Sequence, residues 1–476
     1  MNVYFFVICF AQRKYMCYNK EKPNCGGIRM KYFSVSDIAE IVGGELTGNG
    51  REPVGEIVID SRAVKKGDLF AAFKGEKSDG HDYIAAALKK GAACALAERI
   101  PEGTTGNMIL VDNVQTAIEK IGKACRDALN IPIIGITGSV GKTTAKEMIY
   151  SVLSQRWHTL KTDGNHNNQI GVPMTLSRIE REHEAAVVEM GISGFGEMRL
   201  LASMARPTMG VFTFIGHAHL EFLHDLDGVF AAKTEMLEFM PEDAPLIVNG
   251  DSEQLLRLKS RKNVISFGLG ADCDVRAENI SARDDGTTVC RIVYGDQSFD
   301  AQIPAYGQHM VYAAAEGAAV GFAMGLSCEE ICAGIAAYQT VGRRGAVSNT
   351  GFITLVDDCY NSNPDSLTCA ISSLMKMGGR KVCVLSDMRE LGENSAEMHS
   401  EVGRFAKEQG VDLVLACGSM SRYLCDELGE RAVYFVSKKE LIDALPRYIQ
   451  KGDCVLVKAS LGMHLEDAAE ALKKLR

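Results

Sequence analysis

Apolar residues in this chain fall into short continuous runs separated by helical stretches, and that alternation sets the expected fold. Ser36 to Val42 carries apolar positions at helical spacing, as does Ile84 to Lys90, with a strand expected over Ala93 to Ala97 and turn glycines at Gly67, Gly75 and Gly80. Beyond Asn113 the runs become β-branched and uninterrupted: Ile131 to Ile136, Ala185 to Val188, Met209 to Ile215, Leu246 to Val248 and Val264 to Phe267. Strands that are apolar throughout, with no polar alternation, are buried on both faces, which predicts a parallel sheet covered by helices. Residues 274–304, with Val289 to Asp296, predict an antiparallel hairpin insert, and Met310 to Met324 a Gly/Ala-rich helix. A third set of runs (Phe352 to Val356, Val382 to Leu385, Leu413 to Cys417, Val433 to Val436, Val455 to Val457) predicts a second doubly wound unit.

The expected class is therefore α/β with three domains: a small α/β N-terminal domain (30–112), a central domain with a mostly parallel sheet (113–341) and a C-terminal Rossmann-like domain (342–476). The length of 476 residues agrees with about three domains. Strands end in Glu189, Asn249, Asp357, Asp387 and Lys458. Ligands of open α/β sheets sit beyond such carboxyl ends, so two facing sheet edges predict an interdomain site.

Charge and cysteine content narrow the function. The net charge is −9 and no Lys/Arg run breaks it, which argues against nucleic acid as a partner. Fifteen Cys are scattered without a CxxC pair, so reduced thiols in a cytoplasmic protein are expected and neither a zinc ribbon nor a redox pair is. Val3 to Ala11 is too short to span a bilayer and lacks a basic flank, and no later run reaches about 18 apolar residues; no membrane partner is expected. Residues 1–29 read as an extension without a structural role, ahead of a start at Met30.

The chemistry concentrates in Gly138-Ser139-Val140-Gly141-Lys142-Thr143-Thr144, between a buried strand and a helix over Ala145 to Leu153. In such a loop backbone N–H groups cradle phosphates, Lys142 reaches the β/γ oxygens and the Thr143 hydroxyl can hold Mg²⁺, which predicts ATP as cofactor. Glu189, ending a strand beside this loop, is the natural second-strand Mg²⁺ ligand. His217, His219 and Glu221 follow another strand and suit a second metal or substrate site. Lys233, flanked by alanines, reads by itself as the solvated face of a helix. The amide-rich stretch from Lys161 to Gly171 suits a polar substrate.

Taken together, the stretches DSRAVKKGDLFAAFKGEKSDGHD (60–82), GITGSVGKTTAKE (135–147), KTDGNHNNQIGVPMTL (161–176), VVEMGISGFGEM (187–198), GHAHLEFL (216–223), AAKTE (231–235), GRRG (342–345), DDCYNSNPDS (357–366) and SDMRELGENSAEMH (386–399) resemble the Mur ligases, over essentially all of residues 30–476. The resemblance lies with the branch that adds D-alanyl-D-alanine. It implies an ATP-dependent peptide ligase of peptidoglycan synthesis. The enzyme would phosphorylate the terminal carboxylate of UDP-N-acetylmuramoyl-tripeptide and let the D-alanyl-D-alanine amine attack the acyl phosphate, with Mg²⁺ at two sites and the protein a monomer. It further implies roles residue by residue. Gly138, Gly141, Lys142 and Thr143 would hold the phosphates and the first Mg²⁺, with Glu189 shared between metals. His219 and a carbamylated Lys233 would hold the second. Asn249 and Asn361 would lie by the adenosine, Arg343 by the γ-phosphate and Asp358 by the nucleotide, while Ser61 and Arg62 would bind UDP and Asn168 the muramoyl peptide. The family's Lys-Gly-Ser-Arg-x-Met is here Lys458-Ala459-Ser460-Leu461-Gly462-Met463, without the arginine, and Ile192-Ser193 replaces its Ala-Asn. A folylpolyglutamate-type or other Mur-type ligase, and a nucleotide-gated binding protein without ligase activity, are the alternative readings. A GTPase would need an Asn-Lys-x-Asp guanine reader, which does not occur.

Overall fold

A computed structural model describes residues 33–76, 78–283 and 286–476, so the 1–29 extension and the expected start at Met30 lie outside the described residues. The strands are β1 (Glu45–Thr47), β2 (Ile57–Val58), β3 (Leu69–Ala71), β4 (Cys94–Ala97), β5 (Met108–Leu110), β6 (Ile133–Thr137), β7 (Thr159–Lys161), β8 (Ala185–Glu189), β9 (Met209–Phe212), β10 (Leu246–Asn249), β11 (Val264–Gly268), β12 (Val275–Ala282), β13 (Thr288–Tyr294), β14 (Gln297–Ile303), β15 (Ala346–Asn349), β16 (Thr354–Asp358), β17 (Lys381–Ser386), β18 (Leu413–Cys417), β19 (Ala432–Phe435) and β20 (Cys454–Lys458). Among the described residues they form three sheets, ordered β1-β5-β4-β3-β2, β14-β13-β12-β11-β10-β9-β6-β8-β7 and β15-β16-β20-β17-β18-β19.

The expected class holds. Each sheet is mainly parallel, with antiparallel pairs at β1–β5, β12–β13, β13–β14 and β15–β16. The 274–304 insert is a correction: it is three strands, not a hairpin, and β12 pairs in parallel with β11, so the insert extends the central sheet. Past Ala277, β12 is polar and largely exposed, so it carries no apolar run to reveal it. The edge strand β15 escapes the apolar pattern for the same reason, being largely exposed, whereas the buried β7 is only three residues long and too short to show a pattern.

The helix Val114–Asp127, capped by the Asn113 side chain accepting from the Thr116 N–H (2.8 Å), ties two domains together. Its buried Val114, Ala117, Ile118, Ile121 and Cys125 belong to the core of the first sheet, where Ile170 and Met174 of the central domain also pack. In the central domain the helices Lys142–Leu153 and Gln308–Ala323 pack together on one sheet face, joining Met148, Ile149 and Val152 to Ala314, Ala318 and Ala319. Full burial of each of the first three side chains contributes roughly 1.5–3 kcal/mol, and this anchors the helix whose N-terminus carries Lys142. No helix among the described residues is long and apolar enough to cross a membrane.

Candidate active site

The loop between β6 and the helix Lys142–Leu153 is held open by two glycines. Gly141 has φ of 86°, in the left-handed region that a side chain disfavours, and a Cβ on Gly138 would run into Thr213 Oγ1. Ser139 fastens the loop to the next strand connection: its hydroxyl donates to the Gly216 carbonyl and accepts from the Gly216 N–H, both at 3.0 Å. Thr213 Oγ1 donates to the Val140 carbonyl at 2.5 Å. Lys142 Nζ donates to the Gly138 carbonyl at 2.7 Å. Burial pulls its ammonium pKa below the ordinary lysine value, the positive Arg344 adds to this, and Glu189 opposes it. Thr144 is half-buried on the first helical turn.

Glu189 ends β8 with 1% exposure. Its carboxylate accepts from the Thr143 hydroxyl at 3.0 and 3.1 Å and from Asn167 Nδ2 at 2.8 Å, with Lys146 Nζ at 3.8 Å. A buried carboxylate costs much unless donors surround it, and here hydroxyl, amide and ammonium all do. The Thr143 and Glu189 oxygens are the hard donors that Mg²⁺ takes. Asn249, ending β10, is buried and fixed: Nδ2 donates to the Thr213 carbonyl at 2.9 Å and Oδ1 accepts from the Asp251 N–H at 3.0 Å.

Lys233 overturns its reading as a solvated lysine. It is 1% exposed, near the end of the helix Leu226–Thr234, and its Nζ has no hydrogen-bond or ion-pair partner among the described residues. Burial, then the like charge of Lys142, push its pKa well below the usual lysine value, which favours the neutral amine. A sequence signal existed: Val229, Ala232, Lys233 and Met236 share one face at helical spacing, and all four are buried. His219, at φ 58°, caps the short helix Leu220–Leu223, and its Nδ1 lies 2.5 Å from Glu390 Oε2 of the C-terminal domain, leaving Nε2 as the other ring nitrogen. His217 makes a parallel bridge, with Nδ1 at 3.2 Å from both Asp365 oxygens. These two pairs join the central and C-terminal domains beside the loop.

The C-terminal residues divide. Lys458, ending β20 and 2% exposed, donates to Asp358 Oδ2 at 2.6 Å and to the Asn361 carbonyl at 2.8 Å. Arg343, expected by the γ-phosphate, is engaged within its own domain: its guanidinium donates to Asp357 at 3.0 Å and to Glu470 at 2.7 Å. Its neighbour Arg344 stacks on Tyr360, 3.7 Å from the ring centroid, and its charge acts on Lys142. Arg343 and Arg344 lie in a bend between Gly342 and Gly345, both at φ 67°, and the two side chains leave it toward different partners.

Ser61 and Arg62 sit in a turn of the first domain, where Arg62 is exposed and bidentate to Asp60 (2.9 to 3.2 Å). Asn168 Oδ1 accepts from the Ile170 and Gly171 N–H groups at 3.2 and 2.9 Å, opening the helix Gly171–Ser177; its neighbour Asn167 is the one that reaches Glu189. The sequence reading also passed over Lys146. It is fully buried and pairs with Glu147 at 3.1 Å, and its only signal is the i,i+4 spacing from Lys142.

Comparison with known proteins agrees with this architecture. Residues 53–134 match the Mur ligase family catalytic domain, 136–321 the Mur ligase middle domain, and 342–461 the Mur ligase glutamate ligase domain. The chain is 33% identical over 451 residues to UDP-N-acetylmuramoyl-tripeptide–D-alanyl-D-alanine ligase of Bacillus subtilis (strain 168), covering 92% of this chain and 98% of that one. Among solved structures it is similar to MurF from Acinetobacter baumannii (TM-score 0.84, 28% identity, 94% of this chain and 100% of that one). It is also similar to MurF ligase from Thermotoga maritima in complex with ADP (TM-score 0.78, 27% identity, 88% and 97%). With all three domains matched in order and this fold beneath them, the chain belongs to the Mur ligase family.

Proposed function

We propose that this chain is the ATP-dependent ligase joining D-alanyl-D-alanine to UDP-N-acetylmuramoyl-tripeptide, the cytoplasmic step that completes the UDP-N-acetylmuramoyl-pentapeptide precursor of peptidoglycan. The observation that carries it is the convergence of the phosphate loop, the Thr143–Glu189 pair and the buried amine of Lys233, in a chain that runs almost end to end with relatives of that name. A carboxylate resists attack by an amine until one oxygen becomes a good leaving group. Transfer of the ATP γ-phosphoryl group to that oxygen gives an acyl phosphate and ADP; attack by the dipeptide amine then forms the amide and releases phosphate and a proton.

The chain's own residues do the positioning. Loop N–H groups and Lys142 take the phosphate charge, which lets a second anion, the substrate carboxylate, approach. Arg344, facing Lys142, suits the γ-phosphate role better than Arg343. Thr143 and Glu189 would hold one Mg²⁺. Glu189, His219 and Lys233 would hold the other, once the neutral Lys233 amine has added CO₂ to become a carbamate with loss of a proton. When bound, the metals screen the charge passing between the phosphates and the acyl oxygen. Asn249, Asn361 and Asp358 suit the nucleotide, and Ser61, Arg62 and the Asn168 loop the UDP-tripeptide.

Phosphate release measured with each substrate omitted in turn tests the reading. ADP formation should require both the UDP-tripeptide and D-alanyl-D-alanine. Equal ADP formation without them would overturn it and favour a nucleotide-gated binding protein. Running UDP-tripeptides ending in L-Lys and in meso-diaminopimelate side by side identifies the third residue used.

A further inference from the structure

Between the central and C-terminal domains lies a cavity of about 850 Å³, whose lining includes Glu221, Arg389, Glu393 and Met463. We infer that Arg389 is the residue in this cavity that binds the carboxylate of the incoming dipeptide and makes the enzyme select for a free C-terminus. This rests on the ligase reading above and names a contact which that reading leaves open.

Two loops build the position. One follows β17 and carries Arg389; the other follows β20 and carries Ser460-Leu461-Gly462. They are stitched together by the Arg389 N–H donating to Ser460 Oγ at 3.0 Å and by the Ser460 hydroxyl donating to the Ser362 carbonyl at 3.2 Å. The backbone beneath the guanidinium is thereby fixed while the guanidinium stays exposed on the cavity wall. Gly462 makes room for it: a Cβ there would collide with Arg389 Nη1. The side chain thus lies across the very turn in which Leu461 stands instead of the family's arginine. Leu461 itself is 49% exposed and brings no charge.

Arg389 has no ion-pair partner among the described residues. The adjacent Glu390 is committed to His219, and Asp387 accepts from Ser421 and from the Met420 N–H. An unpaired guanidinium on a cavity wall suits a planar carboxylate, which it can hold by two parallel hydrogen bonds. Glu221 and Glu393 line the same cavity without ion-pair partners among the described residues, and suit the ammonium end of the same dipeptide. One cation set among carboxylates is the pattern a short zwitterion needs and a polyanion would reject.

The test compares D-alanyl-D-alanine with D-alanyl-D-alaninamide, which lacks the carboxylate, in wild type, Arg389→Ala and Arg389→Gln, with melting temperature as the check on folding. Both variants should raise KM for the dipeptide about 10- to 100-fold, as expected for loss of a charge-assisted contact. They should leave kcat within about threefold, leave KM for ATP and UDP-tripeptide unchanged, and act on the amide as wild type does. Adding Leu461→Arg to Arg389→Ala should recover much of the loss by returning a guanidinium to the same turn. An unchanged KM for the dipeptide, or an equal loss on dipeptide and amide, would overturn the assignment while wild-type turnover kept the ligase reading intact. Absence of product with the wild-type enzyme would instead bring down the ligase reading, and this one with it.

Discussion

Replacing Lys233 by Met gives a measurable separation between an amine kept for chemistry and one kept for stability. The side chain is 1% exposed and its Nζ has no hydrogen-bond partner among the described residues. A buried polar group left without a partner costs about 1–3 kcal/mol. Methionine has similar length and no polar nitrogen, so Lys233→Met should be more stable than the CO₂-free wild type by about that amount. The gain carries a pH signature. The folded-state pKa lies well below the ordinary value because of burial and then Lys142, whereas the unfolded amine titrates near 10.4. Between the two values the unfolded chain binds a proton that the folded one does not, so wild-type stability rises with pH, by up to about 1.4 kcal/mol per unit. Below that window the full charging penalty is present in addition; above about 10.4 it is gone and only the cost of the unpartnered neutral amine remains. Lys233→Met removes this slope, so the gap between the two stabilities should narrow as pH rises, down to about 1–3 kcal/mol. Urea midpoints at several pH values in CO₂-free buffer, read beside phosphate release, provide the assay. Turnover should fall about 10³-fold or more, the order set by loss of several kcal/mol of metal-borne charge stabilisation. A variant less stable than wild type with a parallel pH dependence, or one that turns over normally, would refute the reasoning; so would full activity in Lys233→Arg, whose guanidinium repels a metal and cannot form the carbamate.

Lys142→Ala should lower turnover about 10³-fold while UDP-tripeptide binding, measured by calorimetry, stays unchanged, since Ser61 and Arg62 belong to a different domain. Arg344→Ala should cut kcat at least tenfold with little change in melting temperature. Arg343→Ala should do the reverse, keeping kcat within about threefold and costing about 1–3 kcal/mol, because Asp357, 6% exposed at its side chain, loses its hydrogen-bonded partner and keeps only Lys473 Nζ at 3.9 Å. Asp365→Asn tests the domain bridge: the Asp365 hydrogen bond raises the His217 pKa above its ordinary value. Its contribution is thus fully present below about pH 6.5 and lost as pH rises through the folded value. The ring is more than one-third exposed, so the effect should stay below about 1 kcal/mol, and limited proteolysis of the domain junction should show it at pH 5.5 and not at pH 8.

Local physics made much of this protein readable in its sequence. Uninterrupted β-branched runs, a glycine turn and a following Lys-Thr-Thr determine a buried strand, a left-handed turn and a helix whatever surrounds them, so β6, the loop Gly138 to Gly141 and Lys142 were legible at once. Strand ends at Glu189 and Asn249 were legible for the same reason, since a polar residue closing an apolar run has to lie at a sheet edge. Where a sheet is wet, this information thins, which hid β12 and β15, and a strand as short as β7 carries too few residues to show a pattern. Other properties exist only after folding. Lys233 reads as an ordinary helix lysine until the Val229–Met236 face is buried, and only then do burial and the nearness of Lys142 change what its nitrogen can do. Nothing in a row of letters separates Arg343 from Arg344, or Asn167 from Asn168; the bend each pair sits in decides which side chain meets Tyr360 or Glu189 and which stays with its own backbone or domain. The pairs His219–Glu390 and His217–Asp365 join residues 171 and 148 positions apart. Such contacts depend on how two domains meet, and the chain's periodicity fixes only how each domain folds.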